Sequence, residues 1–253
     1  MSLIFSRLRS LKRKTEDALY NIKGKIKLEC NGVRAVFDST YSSQWRLLKW
    51  RYKSEFDILQ DLIDELRSDD VYLDVGASLG LHTCLPAKKI VAEKVIAVEP
   101  YPPSLDQLRK NVSLNGLDNT TILGVAMSDN GGSMAFDVKS TSVALDGGDI
   151  AVDSKKGDSL ISQGKMPQPT VAKIDVEGSE PLVIEGLRKA LRKEQFRLLY
   201  CEVHLPADHR PSIEDFGVGL SEFKAELESC GFNITVMRRR NEEVFLKGKK
   251  CSR

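Results

Sequence analysis

Val71-Tyr-Leu-Asp-Val-Gly-Ala-Ser-Leu-Gly80 decides the fold. An apolar strand runs over 71–75 and carries Asp74. It gives way to a turn holding Gly76 and Gly80, and a helix opens from that turn. In open parallel sheets, ligands sit beyond the carboxyl ends of strands, near the point where strand order reverses. Gly76, without a Cβ, lets a ligand approach the backbone closely. Twenty-five residues after Asp74 a second strand ends in Val98-Glu99-Pro100. A carboxylate there can accept both hydroxyls of a ribose.

Outward from that stretch, short apolar segments alternate with helical ones. Strands are expected over 71–75, 94–98, 120–125, 170–175, 197–203, 232–238 and 242–248, with helices near 79–90, 103–115, 179–193 and 212–229. This rhythm implies an α/β, doubly wound, Rossmann-like sheet with helices on both faces. Only Arg239-Arg240-Asn241 separates the last two strands. That is too short for a helical crossover, so they must form an antiparallel hairpin in an otherwise parallel sheet. Upstream, residues 54–67 read as a helix capped by Ser54, with Phe56, Leu59, Ile63 and Leu66 as the buried stripe. Asn31-Gly32 joins the alternating runs 25–30 and 33–37 and signals a β-hairpin. Residues 3–20 have apolar positions at helical spacing. The expected organisation is an appendage over 1–53, made of a helix and a hairpin, followed by one catalytic-type domain over 54–253. Residues 137–169 fit no regular pattern, and a long irregular segment of this kind is usually functional or mobile.

The ends of the later strands carry charge. Lys173, Asp175 and Glu177 fall on one side of an extended segment by period two. Charges leaving a strand at the sheet edge are costly unless paired or used, and the plain alternative is that Lys173 neutralises Asp175. Glu202 and His204 lie two apart on the fifth strand, where an imidazole beside a carboxylate can serve as a general base or a metal ligand. Ser128 and Asp129 follow the third strand and read either as acceptors for an adenine amino group or as a turn. His82 and His209 read as surface or helix residues. A nicotinamide site would require G-x-G-x-x-G, whereas only Gly76 and Gly80 are present and Asp74 precedes them. An acid at that point repels a pyrophosphate but suits a cationic amino group. No Tyr-x-x-x-Lys occurs anywhere, which removes the usual catalytic pair of a short-chain dehydrogenase.

The segments LDVGASLGLHT (73–83), VIAVEPYP (95–102), LRKNVSLNGL (108–117), GVAMSDNGG (124–132), KIDVEGSEPLVIEGL (173–187) and YCEVH (200–204) resemble the FkbM-type methyltransferases. The resemblance covers about residues 70–205 and is most specific at KIDVEG. It implies a class I methyltransferase sheet and transfer of a methyl group from S-adenosylmethionine to a hydroxyl oxygen of a sugar, polyketide, lipid-linked or other small molecule. The cofactor-binding candidates are then Asp74, Gly76, Ala77 and Gly80 in the first turn, Glu99 and Pro100 after the second strand, and Ser128 and Asp129 after the third. Asp175, Glu177, Glu202 and His204 would face the acceptor, with Asp175 the first candidate to polarise its hydroxyl and His204 the second. A divalent metal shared by Asp175, Glu202 and His204 is not assigned, since no ligand spacing supports it. Many members carry Thr-Leu-Asp-Ser-Leu before the fourth strand. Here the segment is Lys156-Gly-Asp-Ser-Leu160, which keeps only the Asp-Ser-Leu. Ser142, in Ser140-Thr-Ser-Val-Ala-Leu145, matches the family's serine-rich loop and would line the acceptor pocket. Residues 1–60 match little and would form a lid or a surface that meets the acceptor. The alternatives are an NAD-dependent oxidoreductase on a related sheet and a non-enzymatic cofactor-binding protein.

Composition is ordinary for a globular chain, and the length suits one large domain with a short appendage. The 253 residues are 41% hydrophobic and 29% charged, with no apolar run of spanning length. Residues 1–14 and 238–253 each carry +5, so against a total of +2 the body between them carries −8. An acidic body argues against nucleic-acid binding. The basic N-terminal segment could touch an anionic membrane surface peripherally. Arg7 and Arg9 interrupt the apolar residues near the start, so no signal peptide is read. Five cysteines without a close pair suggest reduced thiols and a cytoplasmic location. Oligomeric state is not legible.

Overall fold

In the computed structural model of the chain, the described residues are 24–40, 42–90, 94–144 and 147–250. The expected helix over 3–20, with its basic charge, lies outside them. Strands β1 (Lys25–Cys30) and β2 (Val33–Asp38) pair as the expected antiparallel hairpin, with Cys30 opposite Val33. Asn31 and Gly32 both take positive φ, as the tight turn requires. Two helices follow, α1 (Ser42–Ser54) and α2 (Phe56–Glu65). The sequence pattern predicts no helix over 42–53 and starts one at Ser54. Instead, Ser54 closes α1, its hydroxyl donating to the Arg51 carbonyl at 3.3 Å, and Glu55 occupies the first position of the next turn. The expected Leu59, Ile63 and Leu66 are buried, joined by Ile58 and Leu62, while Phe56 is half-buried. Each of the buried side chains contributes about 1.5–3 kcal/mol by leaving water.

The remaining elements are β3 (Tyr72–Val75), α3 (Leu81–Ala87), β4 (Val95–Val98), α4 (Pro102–Leu114), β5 (Thr120–Leu123), β6 (Ala126–Ser128), β7 (Gly132–Asp137), β8 (Ser142–Val143), β9 (Ile150–Lys156), α5 (Gly157–Ser162), β10 (Val171–Ile174), α6 (Glu180–Gly186), α7 (Arg188–Leu191), β11 (Leu198–His204), a 3₁₀ turn (Ile213–Phe216), α8 (Leu220–Ser229), β12 (Asn233–Arg239) and β13 (Glu243–Lys249). The main sheet has seven strands in the order β12-β13-β11-β10-β3-β4-β5. All pairings from β11 through β5 are parallel, whereas β13 runs antiparallel to both β11 and β12. The order reverses between β3 and β10, and that is the point where a ligand crevice opens.

Side chains alternate between two cores. Tyr72, Val95, Val171, Leu198, Tyr200 and Phe245 face the β1–β2 hairpin, α2, α3 and α4. Leu73, Val75, Ile96, Ala172, Ile174 and Leu199 face α6, α7 and α8. The segment read as irregular, 137–169, holds β8 and β9, which join β6 and β7 just upstream in a second, four-stranded sheet in the order β6-β9-β7-β8. Its own apolar core is small, Ala126, Phe136 and Val152. Asp158 has a structural role here. Its carboxylate accepts the Lys189 and Ala190 amides at 2.8 and 2.9 Å and so caps α7 from a neighbouring helix. Asp158→Ala is expected to cost about 1–2 kcal/mol, read as a lower melting temperature with methyl transfer unchanged at a permissive temperature.

Candidate active site

A cavity of about 320 Å³ opens at the carboxyl edge of β3, β4 and β10. One wall is apolar, formed by Val98, Pro100, Val125, Ala126, Met127 and Phe136. Gly76, Ser78 and Glu99 form its floor, Asp175 and Glu177 its polar end, and Leu47, Trp50 and Arg51 of α1 the opposite side. Ser142 is also at the wall, as expected, with its hydroxyl 2.7 Å from that of Ser140. Ser78 and Glu177, both on this lining, hold positive φ without being glycine. Strain of that kind concentrates at functional sites.

Glu99 sits where the sequence places it, immediately after β4. The amides of Ser78 and Tyr101 donate to its two oxygens at 2.7 and 2.9 Å, which leaves each oxygen with further acceptor capacity toward the cavity. Burial, and then the charge of Asp74, raise its carboxyl to about 7 against the pull of those two amides. Gly76 lines the cavity, and a glycine is required there for a further reason besides the expected close approach of a ligand. A Cβ built there would lie 1.8 Å from the carbonyl oxygen of Asp175, so the ends of β3 and β10 touch through backbone.

Asp74, Ala77, Gly80, Ser128 and Asp129 are not among the residues lining this cavity, and neither are Glu202 and His204, which were expected to face the acceptor. Asp74 is fully buried, opposite Lys173 on β10, and accepts a hydrogen bond from the Thr83 hydroxyl at 2.5 Å. Gly80 begins α3 in the left-handed conformation. The Ser128 hydroxyl donates to Asp129 at 3.0 Å, and its carbonyl is pressed by Gly186 of α6.

The polar end is an ion-pair network. Asp175 Oδ2 meets Lys173 Nζ at 3.0 Å and Arg51 Nη1 at 3.4 Å, and Oδ1 faces His204 Nε2 at 3.9 Å. Burial works to raise the Asp175 carboxyl, but Lys173, Arg51 and His204 together hold it well below the usual carboxylate range. Lys173 thus neutralises Asp175, as the plain alternative has it, and Asp175 also lines the cavity. Period two stops at Asp175. Glu177 is turned back by its left-handed backbone, so that Arg51 Nη2 lies 3.7 Å and His204 Nε2 3.3 Å from its carboxylate. Burial, with Asp175 as a like charge, raises the Glu177 carboxyl.

His204 Nδ1 lies 2.7 Å from Glu180 Oε1, so both ring nitrogens face carboxylates. Burial alone would lower this imidazole, but Glu180, Glu177 and Asp175 bring it up to about 10. At neutral pH it is an imidazolium, which fits a fixed positive charge better than a general base. Glu202 faces Arg238 at 3.9 Å, and burial followed by repulsion from Asp175 and Glu55 pushes it up to about 8.

Several residues of this network were not legible in the sequence. His82, read as a surface or helix residue, is buried in α3 with Nε2 2.8 Å from Glu55. Burial works to raise Glu55, while His82, Lys173 and Arg51 hold it at about 2. Arg238 Nη1 donates to the Ser54 carbonyl at 2.5 Å, tying the closing hairpin to the end of α1 that presents Arg51. Asp175, Glu177 and His204 bring ligand atoms within 4.8 Å of one another, as do Glu55, Asp175 and Glu202. Lys173 and Arg51 hold Oδ2 of Asp175, and its Oδ1 faces His204. No helix among the described residues is long and apolar enough to cross a membrane.

Residues 74–234 match the family model of the methyltransferase FkbM domain. Hexuronic acid methyltransferase AglP of Haloferax volcanii is 30% identical over 233 residues, covering 87% of this chain and 92% of that protein. Methyltransferase sdnD of Sordaria araneosa is 26% identical over 221 residues, covering 71% and 85%. Among solved structures, methyltransferase FkbM from Methylobacillus flagellatus KT aligns with a TM-score of 0.54 at 19% identity. That alignment covers 75% of this chain, which spans 46% of the length of that one, and it bears on the fold alone. These matches set aside the oxidoreductase alternative. The sheet order, the cavity at its switch point and the match over more than half its length make this chain a member of the FkbM methyltransferase family, whose methyl donor is S-adenosylmethionine.

Proposed function

We propose that the chain methylates a hydroxyl oxygen of a small-molecule acceptor, with S-adenosylmethionine bound between Glu99 and Asp175. The observation that carries this reading is the single cavity that joins a strand-end carboxylate, Glu99, to the Asp175–Glu177 pair. Glu99 suits the ribose diol, and Val98, Pro100, Ala126 and Met127 suit the adenine face. A named relative that acts on a hexuronic acid supports an oxygen-rich acceptor. When bound, the cofactor supplies an electrophilic methyl group. The chain's own residues must then orient the acceptor oxygen, take its proton and exclude water.

Asp175, held ionised by three cations, is a weak base and a strong hydrogen-bond acceptor, which suits it to orient the hydroxyl. Glu177 lies on the same lining with a raised carboxyl, nearer the pKa that a general base needs. His204 keeps both carboxylates in place as a doubly bonded cation. Methyl transfer from labelled S-adenosylmethionine to a metabolite extract tests the reading. It expects a product that keeps its label through ester hydrolysis, as an ether does, and a nitrogen- or carbon-linked methyl would sink it.

Glu99 supplies a sharper expectation. Glu99→Ala should weaken S-adenosylhomocysteine binding at least tenfold, because each lost hydrogen bond to a charged group is worth ~1.5–3 kcal/mol. The diol is best held by the ionised carboxylate, whose pKa in the free protein is about 7. Affinity should therefore rise with pH up to about 7 and then level off. Glu99→Gln should bind weakly with a flat profile, as read by calorimetry across pH 5.5–8.5. An unchanged profile in that variant would remove Glu99 from the site.

A further inference from the structure

We propose that α1 is the acceptor-docking element, and that Trp50 and Leu47 receive the face of a pyranose ring whose hydroxyls reach Asp175, Glu177 and Arg51. This rests on the cavity being the methyl-transfer site and adds to it the class of acceptor and the residues that select it.

The argument begins with the helix itself. Leu48 of α1 is buried in the core, and Trp45 and Tyr52 pack beside it, three and four residues away on the same face. That stripe is enough to seat the helix. A second stripe, Leu47, Trp50 and Arg51, has the same spacing and lines the cavity. It buries little. Trp50 is 56% exposed and Leu47 40%, and among the described residues only Val236 joins them as a large exposed hydrophobic. Two of these three side chains thus stand at the mouth of one cavity. Exposed apolar surface gathered at a pocket marks a binding site.

The polar partners then narrow the occupant. An indole offers a wide flat face to the C–H side of a saturated ring, and its amphipathic character suits a ligand wet on the other side. Asp175 and Glu177 are strong acceptors for ring hydroxyls. The Arg51 guanidinium is held loosely, at 3.4 and 3.7 Å from those carboxylates, and its Nε is buried without a partner. It can therefore donate to a ring oxygen or to a substituent. A flat aromatic acceptor would fill the apolar face but leave the buried Arg51 Nε without a partner, and an unmatched buried polar group is costly. All three α1 residues lie before residue 74, outside the segment that matches the family model. Acceptor choice would then be set by a part of the chain separate from the cofactor half.

The test uses the full chain saturated with S-adenosylhomocysteine, titrated with methyl β-D-glucoside, methyl β-D-glucuronide and cyclohexanol and followed by saturation-transfer NMR. At least one sugar should bind in the millimolar range and cyclohexanol should not. Trp50→Ala should weaken the sugar at least fivefold and Trp50→Phe by less than threefold, with S-adenosylhomocysteine affinity within twofold of the parent in both. The glucuronide-to-glucoside ratio tells whether Arg51 takes a carboxylate or a neutral oxygen. Equal sugar binding by Trp50→Ala, no sugar binding by the parent, or cyclohexanol binding as tightly as the sugars would each overturn the proposal. Failure of S-adenosylhomocysteine itself to bind would point to the underlying reading of the cavity and overturn both.

Discussion

Asp175→Asn is expected to lower methyl transfer by roughly 10²–10⁴-fold while cofactor affinity stays within a few-fold. The substitution keeps the shape of the side chain but removes the charge that meets Lys173, Arg51 and His204. The acceptor hydroxyl loses its strongest orienting acceptor, and Arg51 is left to pair with Glu177 alone, which draws the best-placed base out of use. Stability should fall as well. Lys173 is 1% exposed, and breaking a buried pair by removing one partner typically costs about 3–5 kcal/mol. Asn still accepts a hydrogen bond, and Glu55, Asp74 and Glu202 surround the lysine, so the lower end of that range is expected. Melting temperature, S-adenosylhomocysteine affinity and turnover should be read on one preparation. A destabilised variant with turnover within about threefold of the parent would reduce Asp175 to a structural ion pair and move the chemistry to Glu177.

Gly76→Ala should damage the fold on the same scale as breaking the buried ion pair. Its φ of +82° is strained for an alanine, and the new Cβ would lie 1.8 Å from the Asp175 carbonyl oxygen. The obstacle is backbone, not a flexible side chain, so the ends of β3 and β10 must separate. Left-handed strain of about 1–3 kcal/mol and overpacking of a similar size add to about 2–6 kcal/mol. The same displacement moves Asp175, so any folded remainder should turn over poorly even at saturating cofactor. A Gly76→Ala protein that melted with the parent would mean that the two strand ends are further apart than described.

The sequence exposes what is repeated and buried. Strands such as Tyr72–Val75 and Val95–Val98 lie within a residue of the ranges expected for them, because each is a short, wholly buried apolar run bounded by turn residues. Helix α1 escaped notice because its apolar residues divide between two faces, Trp45, Leu48 and Tyr52 on the core and Leu47 and Trp50 on the cavity, which blurs a single helical stripe. Strands β7 and β9 escaped because each gives the small core only one fully buried apolar side chain, Phe136 or Val152, so alternation is weak. At the site, Glu99 and Asp175 are legible because strand ends converge on the switch point whatever the rest of the chain does. The partners that set their chemistry are not. Arg51 is 124 residues from Asp175, and Glu180 is 24 residues from His204. Nothing in local spacing shows that His204 has a carboxylate on each ring nitrogen, and that placement changes it from a candidate base into a fixed cation.

A crystal structure of the chain with S-adenosylhomocysteine tests the central claim most directly. The expected result is the ribose diol on the Glu99 carboxylate, the adenine against Val98, Pro100 and Met127, and the sulfur turned toward Asp175 and Glu177. A ligand bound elsewhere, or one whose sulfur points away from that pair, would contradict the placement of methyl transfer in this cavity.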